Sequence, residues 1–181
     1  MAALRRARAA AVARMAEPPI HTDGLDWDAV ARGRHPFNPD SEMQIVRLGD
    51  MSGMRRVFTN MIRLPPGKES YIPHAHAVEE EMVFILEGEG VVVLDDVRHP
   101  IGPGDYVGFP TDGVVHSIIN TGGAPLTYIS VGERANVEVA HMPTLGKTAV
   151  FRPGRITMFG EGGTEELTPK EWGARARLPP G

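Results

Sequence analysis

Seven histidines stand in this chain of 181 residues, and the spacing of three of them suits a shared ion. His74 and His76 lie two apart. On a strand the side-chain period is two, so both would project from one face. His116 falls in a later apolar run, and Glu81 heads the run Met82–Leu86. Three neutral imidazoles and one carboxylate suit one divalent transition metal such as Fe(II), Mn(II), Ni(II) or Zn(II). Such a centre keeps about one unit of positive charge, which can polarise a bound oxygen or lower the pKa of a bound water. His21, His35, His99 and His141 have no partner at ligand spacing and read as solvated or core-packed histidines.

Those ligands need a rigid frame, and the composition points to a β one. Gly (21) and Pro (16) are abundant, which implies many turns and many short strands. The runs Val57–Leu64, Met82–Leu86, Val91–Leu94, Tyr106–Phe109, Val114–Ile119, Leu126–Val131 and Thr148–Arg152 are β-branched or aromatic, and turn signals punctuate them. Evenly spaced short strands of this kind mark a sandwich or barrel. A short helix is predicted over Asp26–Arg32, stopped by Gly33, and another from the capping box Thr168–Glu171 to about Arg177. Gly160–Gly163 reads as a flexible break.

The remaining arithmetic excludes whole classes. With no cysteine, there are no disulfides, thiolate metal sites or thiol nucleophiles. A net charge of −4 argues against a nucleic-acid surface, and no apolar run approaches the about 20 residues of a membrane span. The Ala/Arg-rich segment 1–16 fails as a signal peptide because Arg14 cuts its apolar stretch. It reads as a flexible leader, or an extension upstream of a start at Met15. The expected organisation is a leader over 1–16, an N-terminal arm over 17–53, a barrel over 54–152 and a C-terminal arm with a short helix over 153–181. A cytoplasmic location is expected.

Around the histidines the glycines form a grammar. The first block reads Gly67-x6-His74-x-His76-x4-Glu81-x6-Gly88, and the second Gly104-x5-Pro110-x2-Gly113-x2-His116-x3-Asn120, with fifteen residues separating Gly88 from Gly104. These blocks resemble the two motifs of the cupin superfamily. His74, His76, Glu81 and His116 match its metal-ligand positions, while Gly88, Gly104, Pro110, Gly113 and Asn120 match turn and scaffold positions. Three single-residue insertions depart from the pattern, before His74, between His76 and Glu81, and between Pro110 and Gly113. Glu81 is preferred to Glu80 because Glu81-x6-Gly88 restores the family spacing. More loosely, Arg63–Gly67, Gly104-Asp105, Val131-Gly132 and Leu145–Lys147 look like small single-domain bacterial cupins without a characterised function. The resemblance covers roughly Met54–Arg152 and implies an all-β jelly-roll barrel with the metal inside, flanked by short helical or irregular arms.

Parity along the strands then predicts Ile72, Val83, Ile85, Val114 and Ile118 as the apolar lining of the metal. Met82, Phe84, Leu86, Val115 and Ile119 should face outward, yet they too are apolar, so arms or a second subunit must cover them. A homodimer is the expectation. For function, a metal-dependent enzyme on a small polar molecule leads, either a dioxygenase or an isomerase or lyase. Arg63, Tyr71, Tyr106 and Tyr128 are weak catalytic candidates by proximity alone. A non-catalytic binding or sensor barrel is the alternative, although no helix-turn-helix partner is visible. A storage barrel ranks last, since it would not need four intact ligands.

Overall fold

In the computed structural model, which describes residues 18–111 and 113–178, the strands are short and almost entirely antiparallel. The expected leader over 1–16 lies outside the described residues. In chain order the strands are β1 (Arg32–Gly33), β2 (Met43–Val46), β3 (Val57–Leu64), β4 (Ala75–His76), β5 (Glu81–Glu87), β6 (Gly90–Leu94) and β7 (Val97–Ile101). They continue with β8 (Tyr106–Phe109), β9 (His116–Ile119), β10 (Leu126–Glu133), β11 (Glu138–Met142), β12 (Lys147–Arg152), β13 (Arg155–Gly160) and β14 (Gly163–Leu167). Two short helices, α1 (Leu48–Met51) and α2 (Pro169–Arg175), complete the set.

One sheet runs in the order β1-β2-β3-β10-β5-β8, a second β14-β13-β12-β11-β4, and a third β7-β6-β9. The segment before β4 joins the last two. Ser70 donates its N–H to the Ile118 carbonyl at 2.9 Å, and His74 and His116 exchange both backbone hydrogen bonds at 3.1 and 2.8 Å. This is the all-β jelly-roll architecture, two layers closed around a core. Ile62, Val83, Ile85 and Tyr128 from the large sheet pack with Val92, Phe109 and Ile118. A second cluster, built on Ala140, Ala149 and Met158, takes in Phe37 from the N-terminal arm and Trp172 of α2.

The inward parity of β5 is clear, with Val83 and Ile85 buried while Phe84 between them is 39% exposed. Ile72 and Ile118 are likewise buried, whereas Val114 is only half-buried. The arms hold to the barrel rather than trailing from it. Gly33 bridges Arg177, and Arg34 donates its N–H to the Ala176 carbonyl at 2.9 Å. The capping box forms, with Thr168 Oγ1 accepting from the Glu171 N–H at 3.2 Å and Glu171 Oε2 accepting from the Thr168 N–H at 2.7 Å.

Two local expectations are corrected. The helix expected over Asp26–Arg32 is a single 3-10 turn, Trp27–Ala29, after which the chain extends into β1. So short a segment cannot pay for helix nucleation by itself. Here the Gln44 amide takes the Trp27 and Val30 carbonyls instead. Gly160–Gly163 is a tight hairpin turn pairing β13 with β14, not a flexible break. No helix among the described residues is long and apolar enough to cross a membrane.

Candidate metal centre

The antiparallel pairing of His74 with His116 places their side chains on the same side, with ring centroids 4.5 Å apart. His76, two residues along, joins them, its ring 4.8 Å from His74 and 5.4 Å from His116. Glu81 shares the inward parity of Val83 and Ile85 and brings Oε2 to 3.3 Å from His76 Nε2. Glu80, on the opposite parity, is exposed. One ligand atom from each of His74, His76, Glu81 and His116 lies within 4.8 Å of all the others.

Each ring is held by its other nitrogen or its face. His74 Nδ1 lies 2.8 Å from the Ile72 carbonyl, and His116 Nδ1 lies 3.1 Å from the Val114 carbonyl. A carbonyl only accepts, so both Nδ1 atoms carry the proton and both Nε2 lone pairs face the cluster. Phe109 stacks on His116 at 3.9 Å and fixes its plane. On the far side of His76, Glu138 Oε1 sits 3.4 Å from Nδ1. That carboxylate is itself braced by the N–H groups of Ala77 and Glu79 at 3.2 and 2.7 Å. Glu81 is oriented by Ser130, whose hydroxyl donates to Oε1 at 2.6 Å.

The electrostatics favour the metal-ready protonation state at His74, His116 and Glu81, and the protonated ring at His76. Burial, reinforced by His74, pushes His116 down to about 4. His74 is lowered by burial and by His76. For His76 burial is the largest influence and acts downward, but Glu81 and Glu138 outweigh it and hold the ring above its usual value. Burial would raise the Glu81 carboxyl, yet His76 and Ser130 bring it below the ordinary range. His76 Nε2 and His116 Nε2 are buried without a hydrogen-bond partner among the described residues. Orphaned buried nitrogens are costly, and an ion shared among these donors would satisfy both. Three imidazoles and a carboxylate are the donor chemistry of Fe, Mn, Ni and Zn, so these residues could hold such an ion.

The cluster opens into a cavity of about 910 Å³, with His74, His76 and Glu81 on its wall. Tyr71 also lines it and meets His74 edge-on at 6.1 Å. Burial and Glu81 push the Tyr71 phenol up to about 12, against the opposing pull of Arg47, so at neutral pH it keeps its proton and can donate a hydrogen bond. The other weak candidates lie elsewhere. Arg63 alternates outward between Ile62 and Leu64 and covers the Trp27 ring at 5.4 Å. Tyr106 is 63% exposed beside Phe84 on the outer face of β8. Tyr128 points inward but is sealed in the core. Sequence reasoning missed Ser130 and Glu138, while His35 is buried as a core-packed histidine. The inward parity of Ser130 with Tyr128 was its available signal; Glu138 had none, because its place beside His76 exists only once β11 pairs with β4.

Residues 60–132 match the Cupin domain family. The chain is a cupin-superfamily protein. This cupin superposes on a crystal structure from Acidithiobacillus ferrooxidans, provisionally described as a sugar phosphate isomerase, with a TM-score of 0.70 and 29% identity over 84% of this chain and 93% of that one. A structure from Silicibacter pomeroyi, described as a sugar phosphate isomerase from a cupin superfamily, gives 0.59 and 28% over 86% and 96%. The oxalate-binding protein of Thermotoga maritima is 41% identical over 81 residues, 45% of this cupin and 64% of that protein. An uncharacterized protein of Methanocaldococcus jannaschii is 35% identical over 63 residues, covering 49% of its length. The matches therefore span only half to two thirds of these curated relatives.

Proposed function

We propose that this cupin is a metal-dependent enzyme acting on a small polar organic molecule, with His74, His76, Glu81 and His116 holding one divalent transition metal. The observation that carries the reading is the convergence of four donor atoms within 4.8 Å, with His74, His76 and Glu81 on the wall of a cavity of about 910 Å³. A bound divalent ion would supply Lewis acidity to a substrate oxygen. The chain supplies the rest. Tyr71 keeps its proton on Oη and can donate a hydrogen bond to that oxygen. Apolar residues behind the cluster, Val83, Ile85 and Ile118, keep water from its back.

Between the two reaction classes, isomerase chemistry is favoured. The neighbours described as sugar phosphate isomerases are matched over 93% and 96% of their lengths, arms included. A non-catalytic binder is the second reading, and the likeness to an oxalate-binding protein supports it. The test is to load purified protein separately with Fe(II), Mn(II), Ni(II) and Zn(II), then follow aldose–ketose interconversion of sugar phosphates alongside oxygen consumption. Interconversion with any one metal is the expected result. Oxygen uptake without interconversion would move the assignment to a dioxygenase, and ligand-induced stabilisation without turnover would make it a binder.

A further inference from the structure

The cavity beside the candidate metal centre is also lined by arginines, and their partners are unequal. Every carboxylate on its wall is engaged. Glu81 faces His76 and Ser130, Glu138 faces His76 and two N–H groups, Glu79 accepts from the Ala135 N–H, and Asp50 pairs with Arg134. Arg152 donates to the Thr157 hydroxyl at 3.2 Å. Arg34 and Arg47 line the same space and have no carboxylate partner among the described residues. Arg34 Nε is buried and without any hydrogen-bond partner among those residues. No internal acceptor therefore holds this side chain, which as a whole lines the cavity.

We propose that Arg34 and Arg47 form an oxyanion subsite that holds the phosphate of a phosphorylated small substrate, while the substrate's other oxygens face the histidine–glutamate cluster. The proposal rests on the small-molecule reading above and names its substrate class. Two guanidinium groups match the charge of about −1.5 to −2 on a phosphate monoester better than that of a single carboxylate. Their planar forks present several donors to its three terminal oxygens. A cavity of about 910 Å³ has room for a molecule that reaches both ends. Aromatic contacts connect them, since His35, next to Arg34, meets Tyr71 edge-on at 6.2 Å and Tyr71 in turn meets His74 at 6.1 Å. Arg34 is fixed where the arms meet, through its N–H to the Ala176 carbonyl and the neighbouring Gly33–Arg177 bridge. The subsite thus belongs to the N-terminal arm, outside residues 60–132 that match the family.

The test uses the full chain, both metal-loaded and metal-stripped, with inorganic phosphate and oxalate as probes in titration calorimetry. Phosphate is expected to bind the metal-stripped protein, to outcompete oxalate there, and to lose about tenfold or more in affinity in both Arg34→Gln and Arg47→Gln. Circular dichroism verifies folding, and the exposed Arg47→Gln variant decides the matter if Arg34→Gln does not fold. Phosphate binding that requires the metal, that is unchanged in the arginine variants, or that is weaker than oxalate binding in stripped protein would overturn the subsite. Metal content of the same samples keeps this failure separate, because a chain that takes up phosphate but no metal refutes only the metal-dependent reading.

Discussion

A histidine offers one nitrogen to an ion reliably only when its other nitrogen is committed, and this chain commits two of the three rings by hydrogen bonds and sets the third beside a carboxylate without one among the described residues. His74 and His116 each use the carbonyl two residues back in their own chain, while His76 relies on the distant Glu138. The first device is local and automatic once the backbone is extended. The second depends on a carboxylate that β11 delivers from 62 positions further along the sequence. Glu138→Gln removes the charge facing His76 Nδ1 while keeping the volume. It should weaken metal binding by roughly 10- to 100-fold with the fold intact, as measured by competition against a chelator. Unchanged affinity would show that Glu138 only braces the loop at Ala77–Glu79. The four prospective ligands were legible because His-x-His and the flanking glycines carry their own geometry. Glu138 was not, because its relation to His76 exists only after β4 and β11 pair.

Elements show the same division. Strands that lie between clear turn signals, such as β3 and β8, coincide with their sequence patterns residue for residue. Those defined by their partners were invisible. β4 has two residues, β7 contains Pro100, and β13 and β14 carry polar or glycine residues at their ends. Pro100 is tolerated because β7 is the edge of its sheet and needs no donor there. Between β5 and β6 the turn depends on Gly88, whose φ is +82°. A Cβ at this position would lie 2.9 Å from Leu126 Cα and would also collide with the Pro125 carbonyl oxygen, both on backbone that cannot yield. Gly88→Ala should therefore cost about 2 kcal/mol or more, seen in urea denaturation as a lower midpoint with little change in slope. A midpoint within error of the wild type would contradict the strained turn.

At the scale of the whole molecule, the arms answer part of the question raised by strands apolar on both faces. Phe37 and Trp172 meet at 5.9 Å over the second cluster, so the two ends of the chain close one side of the barrel together. Among the described residues nothing covers Phe84 and Tyr106 on the outer face of β5 and β8. Phe84 is 39% and Tyr106 63% exposed, and they are cross-strand partners beside the open edge of the large sheet. A second copy of the chain is the expected cover. Sedimentation equilibrium at micromolar concentration should give twice 19.6 kDa, and Phe84→Glu should return the mass to that of one chain. A single-chain mass for the wild type would contradict the dimer. The composition and strand pattern already implied the all-β class. The cavity, by contrast, needs residues from both arms and the barrel, and no local pattern announces such a meeting.

The central claim is that His74, His76, Glu81 and His116 share one ion, and metal analysis tests it most directly. Purified wild-type protein, dialysed without chelator and analysed by inductively coupled plasma mass spectrometry, should carry close to one divalent transition metal per chain. His116→Ala removes a buried ligand that makes no other hydrogen bond through Nε2, and should empty most of that metal while the barrel still melts cooperatively. Equal occupancy in the wild type and in His116→Ala would contradict the account.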